Sequence, residues 1–115
     1  MNEKLVLGLV RVRIHGMVKV IMTWDIQDGK EQEYIEFAVG ELSPTLGALG
    51  LQINDVWYTV LGGGPEMVVS GLMPNRADAL GLLQSRDWSQ LQKRLNEFVE
   101  NVNVKVVEPN GPFQM

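Results

Sequence analysis

The sequence predicts an α+β fold, a four-stranded antiparallel sheet with two helices on one face. Three observations carry this. Period-two alternation appears in Met17–Ile26, on both sides of Gly62-Gly63-Gly64-Pro65, and in Val102–Glu108. Two stretches with helical spacing separate these segments, and each opens on residues suited to cap a helix. The element order is therefore β-α-β-β-α-β, with right-handed crossovers and an expected strand order of 4-1-3-2.

The first strand, "MVKVIMTWDI", sets Val18, Val20, Met22 and Trp24 on one face and Lys19, Ile21, Thr23 and Asp25 on the other. The second face is also partly apolar, which places this strand centrally with both sides covered. "DGKE" (Asp28–Glu31) has the form of a capping box. Tyr34, Phe37, Ala38 and Leu42 follow at helical spacing. Pro44 disfavours helical geometry at Ser43, so a helix end is expected near Ser43, with "PTLGALG" as a loop. In the second strand Val56, Tyr58 and Val60 alternate with Trp57, Thr59 and Leu61. Met67, Val68, Val69 and Leu72 mark the third. Asn75 is the expected cap of a second helix with Asp78 in its first turn, and Leu80, Leu83 and Leu82 are expected inward. Ser85 reads as a fresh cap where this helix restarts. Trp88, Leu91, Leu95, Phe98, Val99 and Val102 then form one apolar stripe. The strand Val102–Glu108 closes the unit, ended by Pro109-Asn110-Gly111-Pro112. This split β-α-β arrangement is ferredoxin-like.

A chain of 115 residues, 45% hydrophobic and 21% charged, suits one globular domain. Residues 17–115 are read as that domain and residues 1–16 as an arm. In the arm Val10, Val12 and Ile14 alternate with Arg11, Arg13 and His15, so an extra edge strand is expected on its own sheet or a partner's. "LVLGLV" (Leu5–Val10) is too short for a signal-peptide core or a membrane span, so no membrane role is expected. The absence of cysteine excludes disulfides and thiolate chemistry and fits the cytoplasm. Residues 1–20 carry Lys4, Arg11, Arg13 and Lys19 against Glu3, a net +3. With −4 for the whole chain, the remainder carries −7, which argues against general nucleic-acid binding.

The glycine run is the most tempting chemical motif, and it fails as a phosphate loop. No Lys-Ser or Lys-Thr follows a glycine, and the sixth position from Gly62 is Met67, ahead of a strand and not a helix. A hairpin bend explains it, with glycines supplying positive φ. His15 is the only histidine, so neither a zinc site nor a serine triad is supported, and no metal or cofactor is expected. "DIQDGKEQE" does not fit a calcium loop, because Gly29 at position six would put Trp24 at position one. Glu66, Glu41 and Asp25 are general-base candidates only if buried. The aromatic residues Trp24, Tyr34, Trp57 and Tyr58 are expected around the sheet, as core or as liners of a pocket between sheet and helices. Trp57 and Tyr58 are neighbours on one strand and face opposite sides, so only one of them can share a pocket with Trp24.

With "VWYTVLGGGPEMVVSGLM" as central hairpin and "LLQSRDWSQLQKRLNEFVENV" as second helix, the chain resembles the dimeric α/β barrel superfamily over Met17–Val107. It is most similar to small uncharacterised bacterial members and, distantly, to antibiotic-biosynthesis monooxygenases. The resemblance implies two sheets packed face to face across a two-fold axis, and a pocket between sheet and helices in each subunit. It transfers no catalytic residue, and His15 lies outside the matched stretch, so it assigns no haem site. Three roles follow: a dimeric protein binding a small apolar or aromatic ligand without catalysis; a cofactor-independent monooxygenase or isomerase-like enzyme; or an assembly subunit. An open sheet face bearing Ile21, Val68 and Val107 predicts the homodimer.

Overall fold

The structure, a computed structural model, describes residues 17–108. The expected arm, His15 and the Pro109–Pro112 segment lie outside the described residues. Four strands, β1 (Val18–Ile26), β2 (Gln52–Tyr58), β3 (Met67–Met73) and β4 (Val99–Val107), form one sheet in the order β2-β3-β1-β4. Every neighbouring pair is antiparallel. The order is the one the alternation predicted.

Period two decides the two faces of β1. Val18, Val20, Met22 and Trp24 are buried, and they face the same side as Met73, Gly71, Val69 and Met67 across the β3 ladder. The helices cover this side, and one core cluster joins it to Phe37, Leu46, Leu82, Leu91 and Leu95. Beyond the Trp24–Met67 pair the ladder gives way to side chains. The Glu66 carboxylate accepts the Ile26 N–H at 2.7 Å, and Asp25 accepts the Glu66 N–H at 2.9 Å. Two backbone donors at the sheet end are thereby satisfied.

The first crossover departs from expectation twice. Asp28 caps nothing. Lys30 N–H donates to the Gln27 carbonyl at 2.9 Å, with Gly29 at φ 83°, so Asp28 sits inside a β-turn that delays the helix to Glu31. Nor does the helix end near Ser43. It runs as α1 (Glu31–Phe37), a π-helical stretch over Ala38–Leu42, and α2 (Ser43–Ala48), so "PTLGALG" is largely helical. Proline lacks an N–H and crowds the carbonyl four residues back. Where the π-turn ends, the Ser43 N–H bonds the Ala38 carbonyl, five residues back, and Pro44 then takes an early position in α2. One residue of slack lets the helix pass a proline that would otherwise stop it.

The second crossover follows the caps. Asn75 accepts the Asp78 N–H ahead of α3 (Arg76–Leu83), and Ser85 accepts the Trp88 N–H ahead of α4 (Arg86–Leu95). Two details differ. In α3 Ala79 and Leu82 are buried while Leu80 is exposed. The apolar stripe is also split between helix and strand. Glu97 and Phe98 donate to the carbonyls three residues back, closing the chain after Leu95, and Val99 already pairs with Ile26 in β4. Asn101, at φ 61°, sits where the β4 register shifts against β1.

The glycine run is a hairpin loop, as expected. Thr59 N–H donates to the Glu66 carbonyl at 2.7 Å, and Gly62 and Gly64 take positive φ. β2 is an edge strand that begins earlier than the alternation suggested and ends at Tyr58, leaving Val60 and Leu61 exposed in the loop.

Candidate functional site

A cavity of about 390 Å³ lies between the first crossover helix and the β2–β3 half of the sheet. One wall is a helical stripe including Tyr34, Ile35, Ala38, Val39, Leu42 and Leu46. The opposite side is Ile53 and Val56 of β2 with Met67 and Val69 of β3. The π-turn contributes Ala38, Val39 and Leu42, so the segment that accommodates Pro44 also forms much of this wall. The β2–β3 register shifts between Ile53 and Asp55, which brings Ile53 and Val56, three residues apart, onto the cavity side. Apart from the Tyr34 phenol and the Ser43 hydroxyl, the lining side chains are hydrocarbon or thioether.

The four aromatic candidates do not gather. Tyr34 lines the cavity and is only 3% exposed. Trp24 is fully buried and stands behind it. Its Nε1–H donates to the Tyr34 Oη at 3.1 Å, with the rings edge to face at 6.4 Å. Burial pushes the Tyr34 phenol above its ordinary pKa and outweighs the Trp24 bond, which acts downward. Trp57 (63% exposed) and Tyr58 (55% exposed) are not among the liners. Trp57 pairs with Val68 on the open face, and Tyr58 pairs with Met67 on the helix side of the edge strand. Sequence alternation assigns these two opposite sides, and the expected strand order already put their strand at an edge, but neither says how far the helical layer reaches over that edge.

The candidate bases hold structure. Asp25 accepts from Asn101 Nδ2 at 2.9 Å and from the Glu66 N–H, and these bonds hold its carboxyl below the usual range. The Glu66 carboxylate is occupied by Ile26. Glu41 pairs with Arg94 at 3.0 Å, and Arg94 also reaches Glu97 and lies over the Phe37 and Phe98 rings. A wider groove of about 640 Å³ beside this ion pair, between α2 and α4, is more open, and its cation is already neutralised. Ser70, buried on β3, donates to Asn54 at 3.2 Å. Among the described residues no cluster of three metal-ligating side chains occurs, and no helix is long and apolar enough to cross a membrane. The π-turn was the feature the sequence reading missed. A proline inside a helical apolar stripe that continues to Leu46 was its available signal.

No family model matches the chain, and no curated protein matches it. Solved structures match its fold. A NIPSNAP family protein from Agrobacterium tumefaciens is 19% identical, with a TM-score of 0.66 over 84% of this chain and 88% of its own. A DABB family protein with a ferredoxin-like fold from Mesorhizobium loti is 14% identical, with a TM-score of 0.64 over 84% and 99%. A dimeric protein of unknown function and ferredoxin-like fold from Bacteroides fragilis is 19% identical, with a TM-score of 0.58 over 82% and 97%. These neighbours include NIPSNAP, DABB and other ferredoxin-like proteins, and at these identities the likeness concerns the fold.

Proposed function

We propose that this protein binds a small apolar molecule in the cavity between the first crossover helix and β2–β3, in a binding or regulatory role without catalysis. The cavity itself carries the reading: its volume falls within the roughly 300–1000 Å³ of small-ligand sites, and it is apolar with two polar groups. Tyr34 is the only titratable group among its liners, and Asp25, Glu41 and Glu66 are engaged in structural bonds elsewhere. That distribution favours binding over the acid–base chemistry an isomerase or monooxygenase needs. The test is a thermal-shift and native mass-spectrometry screen of apolar ketones, alkanes, phenols and aromatic acids against wild type and Ala38→Leu, which adds side-chain volume at the wall. Compounds that bind wild type should lose binding in the variant. If none binds wild type, or if Ala38→Leu binds equally well, the proposal fails.

We further propose that the protein acts as a homodimer through the open sheet face. Ile21, Val68, Leu72 and Trp57 make that face partly apolar, and a fold neighbour is dimeric. Sedimentation at micromolar concentration should give about twice 12.9 kDa. The cysteine-free composition supports a cytoplasmic location.

A further inference from the structure

The polarity of the cavity narrows the ligand class, and this inference rests on the binding role proposed above. Its helical liners run from Tyr34 to Leu46 across the π-turn.

Among the described residues no Lys, Arg, His, Asp or Glu lines it. An ionised carboxylate or ammonium would be taken from water without a counter-charge, a cost that apolar contact does not offset. The two hydroxyls differ in setting. Ser43 is exposed, whereas Tyr34 is buried near the start of the stripe.

The Trp24–Tyr34 bond fixes what Tyr34 can offer. An indole N–H is a donor only, so the phenol oxygen must accept from it. The Tyr34 proton is then left to donate, and among the described residues no protein acceptor receives it. The rise in its pKa on burial keeps that proton in place at neutral pH.

We infer that the cavity takes a neutral apolar molecule with a hydrogen-bond-accepting oxygen, a ketone or ester carbonyl, which receives the Tyr34 Oη–H. Trp24 is a positioning residue that aims this donor.

Calorimetric titration of the full chain with 2-nonanone, decane and decanoate tests it, together with infrared spectra of bound carbonyl-labelled 2-nonanone. In wild type the carbonyl stretch should fall below its value in an alkane solvent, and decanoate should bind at least tenfold more weakly than the ketone. Tyr34→Phe should weaken 2-nonanone roughly three- to tenfold, the scale of one hydrogen bond, and leave decane unchanged. Ser43→Ala should preserve the stretch; because this exposed position tolerates change, that arm stands even if Tyr34→Phe fails to fold. An alkane-like stretch in wild type overturns the inference, as does decanoate binding equal to the ketone or a stretch abolished by Ser43→Ala. In those cases the cavity still binds apolar molecules. If none of the three probes binds, the binding role itself falls with it.

Discussion

Gly71 is held by packing and not by backbone conformation. A Cβ there would lie 2.8 Å from both the Gln52 carbonyl oxygen and Leu51 Cγ. Gly71→Ala therefore requires β2 to move away from β3 and should cost about 1–3 kcal/mol, read as a lower urea midpoint. A midpoint equal to wild type would show that the sheet edge gives way freely. Asp25 makes a second prediction. Its folded-state pKa is depressed below 3.8, chiefly by the Asn101 bond and then by the Glu66 N–H. Stability from those bonds is present above the unfolded value and is lost as pH falls through the folded one. Acid unfolding should accordingly be steeper in wild type than in Asp25→Asn below about pH 4. Parallel acid limbs would exclude the role. Some of this scale was legible in the sequence. The Asn75 and Ser85 caps are local chemistry, so residue type and spacing suffice to find them. The Asp28 box had the same spacing, but Gly29 turned the chain before a helix could begin. Gly71 gave only the general signal of a glycine inside a strand, because the atoms that crowd it come from β2.

Among the elements, the split of the second crossover into α3 and α4 depends on Ser85. Its hydroxyl accepts the Trp88 N–H at 3.1 Å and donates to the Leu82 carbonyl at 2.7 Å, so it ends one helix and starts the next. Ser85→Ala should cost about 0.5–2 kcal/mol in thermal or urea unfolding, with Ser85→Asp recovering the capping part and not the bond to Leu82. Equal loss in both variants would assign the cost to the Leu82 bond alone. The first crossover shows where element-level reading runs out. Pro44 is a sound stop signal in an α-helix, and the π-turn circumvents it by relaxing the register upstream. That choice depends on what the helix gains by continuing, namely the burial of Leu46 against the sheet. It is a tertiary gain, invisible in local propensity. For Trp57 and Tyr58 both the alternation and the edge position of β2 were legible, but the extent of the helical cover over that edge, which leaves both exposed, was not.

At the scale of the whole molecule, the helices among the described residues cover the sheet on one side, and the proposed homodimer would bury the other. Trp57, Val68 and Thr23 form a row near the hairpin end of this face, and Ile21 and Leu72 lie further along it on β1 and β3. Lys19, Asp55 and Lys105 share the same face, so it is an apolar stripe with charged margins and not a bare hydrophobic sheet. That pattern matches an interface with an apolar centre and a polar rim. In a monomer the stripe would stay wet, whereas in a face-to-face pair it would bury without any change in the subunit fold. Val68 is the informative position. It is half-buried on the open face, on an inner strand near the hairpin end, with its side chain directed away from the helical core. A glutamate there would remain solvated in a monomer but would bring an unpaired charge from each protomer into the proposed sheet-face interface, where it would be desolvated. Val68→Glu should therefore reduce the mass in sedimentation from about twice 12.9 kDa to 12.9 kDa. Its far-ultraviolet circular dichroism should keep the wild-type shape, because the core side of β3 is untouched. Glu41→Ala, on the helical layer, should leave the mass unchanged while breaking a comparable surface charge pair. A dimer that survives Val68→Glu would place the interface on another surface, and the exposed edge of β2 would be the next face to probe.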